Sequence, residues 1–310
     1  MSRASCGVWA GVGGVTLVML GLLGCTVIDP YPVLPAVEDP CATWPTPGTY
    51  RLDLGDAWDR QPIVVVPPDV GARDGLVMLH GAGGDGQRAL DTTAWKALAG
   101  GQGWVTAFPN GTGTTGYTWN AGSCCGYAES VLVDDVTFLD AVAAGLRDQL
   151  CVGRVIAAGY SNGAMMANRW SCESDATDAT LTYAGPLLVD RCRRPGRPTL
   201  WWHGSADTRV PYAGGMTAEE ELFPAVEEAF AEVRRRNACE DLPPAVTTEG
   251  DVTCQTWTCA QPTTFCRVEG ATHAWPGDAG AAERGGPGFE TWALGWLDAP
   301  ADATADTATP

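Results

Sequence analysis

The sequence predicts an α/β fold, with a mainly parallel central sheet and helices on both faces. Three observations predict it. Short apolar runs alternate with longer helical runs along most of the chain. Runs such as "GLVMLH" are apolar nearly throughout, as strands covered on both sides should be. No internal repeat and no dividing linker breaks the alternation, so residues 40–298 read as a single domain.

The elements follow in chain order. "YRLDL" and "IVVVP" read as an opening hairpin or edge pair, "GLVMLH" as a buried strand and "WVTAFP" as another. Residues 134–150 place Val136, Leu139, Val142, Leu146 and Leu150 on one helical stripe, with Asp134 in position to cap it. "RVIAAGY" is a strand, "NGAMMANRWSCE" a helix and "TLWWHG" a strand. "ELFPAVEEAFAEVRRRN" reads as a helix with Val226, Phe230 and Val233 inward. "DVTCQTW" and "TFCRVEG" pair across a turn at "CAQPTT", and "FETWALGWL" closes the fold as a helix.

Composition narrows the function. The 310 residues carry a formal net charge of −18 and a pI of about 4.4. That excludes a nucleic-acid binder, which needs a basic face. The N-terminus has one basic residue, Arg3, then no charge from Ser5 to Ile28 around the apolar "VTLVMLGLLGC". Residues 1–24 read as a lipoprotein-type signal peptide, cut before Cys25 and leaving a lipid there. Plain secretory cleavage and an uncleaved membrane helix are the alternatives. Residues 25–39 then form a linker, and residues 299–310, rich in Ala, Asp, Thr and Pro, a disordered tail. Of 12 cysteines, Cys6 leaves with the signal and Cys25 carries the lipid. The remaining ten imply disulfides in an oxidising compartment. No C-x-x-C pair and no zinc-finger spacing of the three histidines supports a metal site.

The chemistry centres on "GYSNG". Composition alone makes G-x-S-x-G a weak signal: 39 glycines and eight serines give about one accidental match in eight such chains. Context decides. Ser161 ends a strand and opens a helix, where a sharp turn lifts the hydroxyl above the sheet. Its proton needs a base. Of His80, His203 and His273, only the last two follow the serine, and only His273 satisfies the order serine, acid, histidine of an α/β-hydrolase. Asp207, directly after the strand "TLWWHG", is the favoured acid; Asp190, Asp241 and Asp251 are its rivals. "HGAGG", residues 80–84, closes the third strand. The backbone amides of Ala82 and Asn162 are the expected oxyanion donors. His80 is then a structural residue whose ring pins that loop. A phosphate cradle at "GAGGDG" lacks the G-K-[ST] ending.

"LHGAGGD", "WNAGSCCG", "VDDVTFL", "GYSNGAMM", "HGSADTRVPY" and "GATHAWPG" occur in that order. Together they make residues 47–298 resemble the secreted polyhydroxybutyrate depolymerase and feruloyl esterase-like family of α/β-hydrolases, related to carbohydrate esterase family one. The resemblance implies a serine esterase with Ser161, Asp207 and His273 as its triad and no metal or organic cofactor. It implies an ester substrate, possibly polymeric, and membrane contact only through the N-terminal lipid. It also implies that "YTWNAGSCCG" and "VDDV" line the rim of the site, with Trp119 and Trp275 as aromatic walls. Flat aromatic walls suit an aryl acid or a sugar ring, which favours feruloyl or acetyl esters of a polysaccharide over a hydroxyalkanoate polyester. Trp201 and Trp202 are expected to serve the core. A peptidase of this fold, or a non-catalytic surface lipoprotein on the same scaffold, are the alternatives.

The hairpin register sets Cys254 opposite Cys266, and Cys259 would then join Cys239. The resemblance implies Cys172 with Cys192, and Cys41 and Cys151 each with one of Cys124 and Cys125.

Overall fold

The computed structural model describes residues 29–68, 74–114, 116–275, 277 and 286–299. The expected signal peptide, Cys25 and all of the expected tail but Ala299 lie outside them.

The chain opens on β1 (Gly48–Arg51), β2 (Ile63–Val66) and β3 (Gly75–Leu79), then α1 (Gly86–Thr92), α2 (Trp95–Gly101) and β4 (Val105–Phe108). After α3 (Gly126–Ser130) come α4 (Asp135–Leu150), β5 (Val155–Tyr160), α5 (Asn162–Glu173), β6 (Ala179–Tyr183) and β7 (Thr199–Gly204). A small ribbon, β8 (Gly215–Met216) with β9 (Leu222–Phe223), precedes α6 (Val226–Arg236). The chain closes on β10 (Ala245–Glu249), β11 (Val252–Trp257), β12 (Thr263–Val268) and α7 (Phe289–Asp298).

Ten strands form one sheet, in the order β1-β2-β4-β3-β5-β6-β7-β12-β11-β10. The run from β4 to β12 is parallel, and the hairpins β1–β2 and β11–β10 flank it antiparallel. Side chains alternate across this sheet, so it is buried on both faces. Val77, Leu79, Val105 and Ala157 pack with Phe138, Leu139, Val142 and Leu146 of α4 on one side. Leu76, Met78, Ile156 and Leu181 pack with Trp95 of α2 and Phe289 of α7 on the other. This is the mainly parallel, doubly covered sheet that the sequence predicts.

The sequence does not predict the short helices α1, α2 and α3 or the strands β8 and β10, and three further differences bear on the frame. The helix expected from Glu221 starts at Val226, because Leu222 and Phe223 pair with Met216 and Gly215 and Pro224 follows them. β6 sits mid-sheet although nothing in "ATLTY" announced it. The expected linker is partly packed: Leu34 is buried and its N–H bonds to Arg51 O at 2.8 Å, beside β1.

Among the described residues five disulfides form cross-links: Cys41–Cys151, Cys124–Cys125, Cys172–Cys192, Cys239–Cys259 and Cys254–Cys266. The last three match expectation, with Cys254 and Cys266 in register on β11 and β12. The expected cross-pairing of Cys41 and Cys151 with Cys124 and Cys125 is corrected. Cys151, the C-cap of α4, lies against Cys41 near the N-terminus, which leaves the adjacent cysteines to each other. Five disulfides are compatible with an extracellular, oxidising setting. Among the described residues, no helix is long and apolar enough to cross a membrane.

Candidate active site

The site lies at the carboxyl ends of β3, β5, β7 and β12, where open α/β sheets gather their functional residues. Ser161 stands between β5 and α5 with φ 55° and ψ −127°, a strained setting for a residue with a side chain. Its flanking glycines explain how the turn closes. A Cβ on Gly159 would come within 2.3 Å of Gly163 O, and one on Gly163 within 2.1 Å of Leu79 O. No other residue fits where β5 turns against β3 and feeds straight into α5.

Two side chains converge on the serine. His273 Nε2 lies 2.8 Å from Ser161 Oγ, and His273 Nδ1 lies 2.7 Å from Asp207 Oδ2. The imidazole is mostly covered, with its side chain 14% exposed, and the Asp207 side chain is fully buried. Asp207 has further support. Its Oδ1 accepts the N–H groups of Arg209 and Val210, both at 2.9 Å, and His203 Nε2 lies 3.5 Å from its Oδ2. Burial alone would push this carboxyl up. Hydrogen bonds from His203, His273 and Val210 outweigh it and hold Asp207 ionised, well below the usual carboxylate range. Of the four aspartates weighed from sequence, Asp207 is the one on His273.

The other two histidines serve structure. His203 is buried and its Nε2 donates to Val210 O at 2.9 Å, closing the turn that carries Asp207. His80 Nε2 accepts the Gly111 N–H at 3.0 Å, so its Nδ1–H donates to Gly81 O at 2.8 Å. Burial depresses its pKa to about 4 and keeps the ring neutral. The ring therefore pins the loop that bears Ala82. Ala82 and Asn162 line the same cavity as Ser161.

That cavity holds about 620 Å³. Trp275 contributes to its wall and is half-buried, its Nε1 donating to Glu290 Oε1 at 3.0 Å. Trp119 does not, and its expected role as a wall is corrected. It is fully buried, and its indole Nε1 donates to His80 O at 3.0 Å. It is a strut beneath the loop. The expected rim at "VDDV" is also structural: Asp134 caps α4, and Asp135 is buried and paired with Arg60 at 2.7 Å. From "YTWNAGSCCG", Cys125 reaches the cavity.

Two residues escaped the sequence reading. Tyr160 OH donates to His273 O, and Tyr183 OH donates to Thr272 O at 3.2 Å. Their rings stack 6.1 Å apart, and Ser161 N–H bonds to Tyr183 O at 2.9 Å. The pair thus fixes the histidine loop relative to the serine turn. Burial, followed by the charge of Asp207, raises the Tyr160 pKa to about 12, so its phenol stays a donor. Its place just before Ser161 was the available clue.

No family model and no curated protein matches this chain. Solved structures do. An acetyl xylan esterase from Aspergillus awamori is 15% identical, covers 78% of this chain and 99% of its own, and has a TM-score of 0.57. A carboxylesterase from Mesorhizobium loti is 15% identical, with coverage of 80% and 99% and a TM-score of 0.53. A thermophilic esterase from the Planctomycetes species Thermogutta terrifontis, with propionate bound, is 14% identical, with coverage of 82% and 94% and a TM-score of 0.53. The likeness is one of fold, and the chain has the α/β-hydrolase fold.

Proposed function

We propose that this chain is a serine esterase that cleaves carboxylic esters through an acyl-enzyme on Ser161. One observation carries the reading: a strained serine whose Oγ lies 2.8 Å from an imidazole that an ionised, buried aspartate holds from behind at 2.7 Å. His273 Nε2 takes the Ser161 proton as Oγ attacks the ester carbonyl. The backbone amides of Ala82 and Asn162 stabilise the oxyanion. His273 then protonates the leaving alcohol, while Asp207 holds the imidazole in the tautomer that can do so. Water repeats the sequence on the acyl-enzyme. This route needs no metal or cofactor.

The motif set supports an enzyme of the polyhydroxybutyrate depolymerase and feruloyl esterase type. The names of the similar structures, an acetyl xylan esterase and a carboxylesterase, support ester hydrolysis in general. Trp275 still offers an aromatic surface at the cavity, whereas the wall argued from Trp119 is gone. Feruloyl or acetyl esters of a polysaccharide remain favoured on Trp275. We further propose export with lipidation at Cys25, on the strength of "LLGC" and of the disulfide content. Mass spectrometry of the native N-terminus, and release of a Cys25→Ala variant from membranes, test the anchor.

Rates on methyl ferulate, an acetylated sugar, a short 4-nitrophenyl ester and a hydroxybutyrate oligomer test the esterase reading. Turnover of at least one is expected. Turnover of the oligomer alone would remove the aromatic preference, and turnover of none would overturn the reading.

A further inference from the structure

All but one of the 19 Lys and Arg residues of this acidic chain are arginines, and many of them are occupied. Arg51, Arg60, Arg147, Arg154 and Arg169 each pair with a carboxylate, Arg236 donates to backbone carbonyls and Arg234 lies over the Trp257 ring. Arg88 and Arg209 are exposed, and neither has a carboxylate partner among the described residues. Arg191 and Arg193 are exposed without a carboxylate partner too, but only Arg88 and Arg209 also lie at the cavity of Ser161. One follows the loop of Ala82 on α1, and the other lies two residues past Asp207.

The same cavity has two glutamates, Glu219 and Glu221, on the segment between β8 and β9. None of the four charges pairs with another of opposite sign. Arg88 and Arg209 both lie within electrostatic reach of Tyr160, whose hydroxyl bonds to His273 O, while Glu221 feels Glu219 and Glu129. At physiological salt, charge beyond about 8 Å is largely screened. A ligand in the cavity thus meets the four charges that line it rather than the net charge of the whole surface.

We propose that Arg88 and Arg209 bind a carboxylate carried by the ester substrate, so that anionic esters are preferred over neutral ones of the same size. The proposal rests on Ser161 being an ester-cleaving nucleophile and adds the substrate class. Two guanidiniums left without partners beside a nucleophile can bind a carboxylate through charge-assisted hydrogen bonds. Glu219 and Glu221, on the same cavity, would accept hydrogen bonds from hydroxyls of the substrate. The carboxylate could sit on the acyl side, as in a diacid or hydroxyacid oligomer, or on the alcohol side, as in a uronate-bearing sugar.

Two matched pairs of probes separate these sources. Mono-4-nitrophenyl glutarate against its methyl ester tests the acyl side. 4-Acetoxybenzoate against methyl 4-acetoxybenzoate, followed by acetate release, tests the alcohol side. In at least one pair the anion should have the higher kcat/KM, chiefly through a lower KM. Added salt should reduce the preference. The double variant Arg88→Gln/Arg209→Gln should lower the anion-to-neutral ratio by about tenfold. An unchanged ratio in the double variant, or a wild-type preference for the neutral ester in both pairs, would overturn the proposal. If no ester is cleaved, it is the esterase reading that fails. The anion site is then judged by calorimetric binding of 4-acetamidobenzoate to the wild-type chain and to the double variant. Weaker binding in the variant supports the site, while equal binding, or none to either, overturns it.

Discussion

Asn162 holds the backbone of Trp119 from both sides: its Oδ1 accepts the Trp119 N–H at 2.7 Å, and its Nδ2 donates to the Trp119 carbonyl at 2.9 Å. The Trp119 indole in turn donates to His80 O, at the start of the loop that carries Ala82. The two segments expected to supply the oxyanion amides are therefore tied to each other through one buried tryptophan.

That link predicts how Asn162→Ala should fail. Its backbone amide survives, but the strut loses both anchors. We expect kcat to fall about tenfold with little change in KM, since a full donor loss costs about 100-fold or more. Trp119→Phe should cost about 1–3 kcal/mol of stability through the lost indole hydrogen bond, with KM unchanged. Steady-state kinetics with urea unfolding checks both. A large rise in KM in Trp119→Phe would restore the tryptophan as a substrate wall.

His80 predicts a pH dependence of stability. Its folded pKa of about 4 lies below the ordinary value of 6.5. Between those values the unfolded chain binds the proton and the folded chain does not, so stability falls as the pH drops through this window. Stability from this group is full above pH 6.5, and the loss amounts to about 3 kcal/mol by pH 4. Urea midpoints at pH 7.5 and 4.5 should show the loss, and His80→Asn should show a smaller one. An equal loss in the variant would assign the effect to other groups.

The disulfides predict unequal costs. Cys41–Cys151 spans 110 residues and Cys254–Cys266 spans 12. Chain entropy gives about 5 kcal/mol for removing the first and about 3 kcal/mol for the second. Thermal unfolding of the two paired alanine variants tests the order. Peptide mapping without reduction should recover Cys124 and Cys125 together in one peptide, and a Cys41–Cys124 cross-link would contradict the fold's pairing.

Tyr160→Phe keeps the stack on Tyr183 and loses the hydrogen bond to His273 O. We expect kcat to drop about tenfold through a less ordered imidazole, with the unfolding midpoint nearly unchanged. A change in KM alone would mean that the phenol touches substrate instead.

The site and the frame differ in how far the sequence exposes them. Ser161 and Asp207 each sit just past a strand with a clear apolar signature, and chain order after the serine singled out His273. The Cys254–Cys266 pair followed from a local hairpin register. β6 was hidden because its central threonines, Thr180 and Thr182, replace the aliphatic residues that mark a buried strand. β10 is fully exposed at the sheet edge and shows no alternation. Trp119 lies in a loop segment, and its loop position gave no sign that Asn162 and Phe138 enclose it. Cys41 and Cys151 are joined across 110 residues, where no local rule reaches.

The most direct test of the account is the fate of Ser161. An organophosphate should add a single mass increment, which maps to the peptide containing Ser161 and to no other serine. Ser161→Ala should lose the labelling and lower esterase kcat by about 10⁶, as expected when the triad acts as a unit. Labelling elsewhere, or near-wild-type turnover in Ser161→Ala, would contradict the central claim.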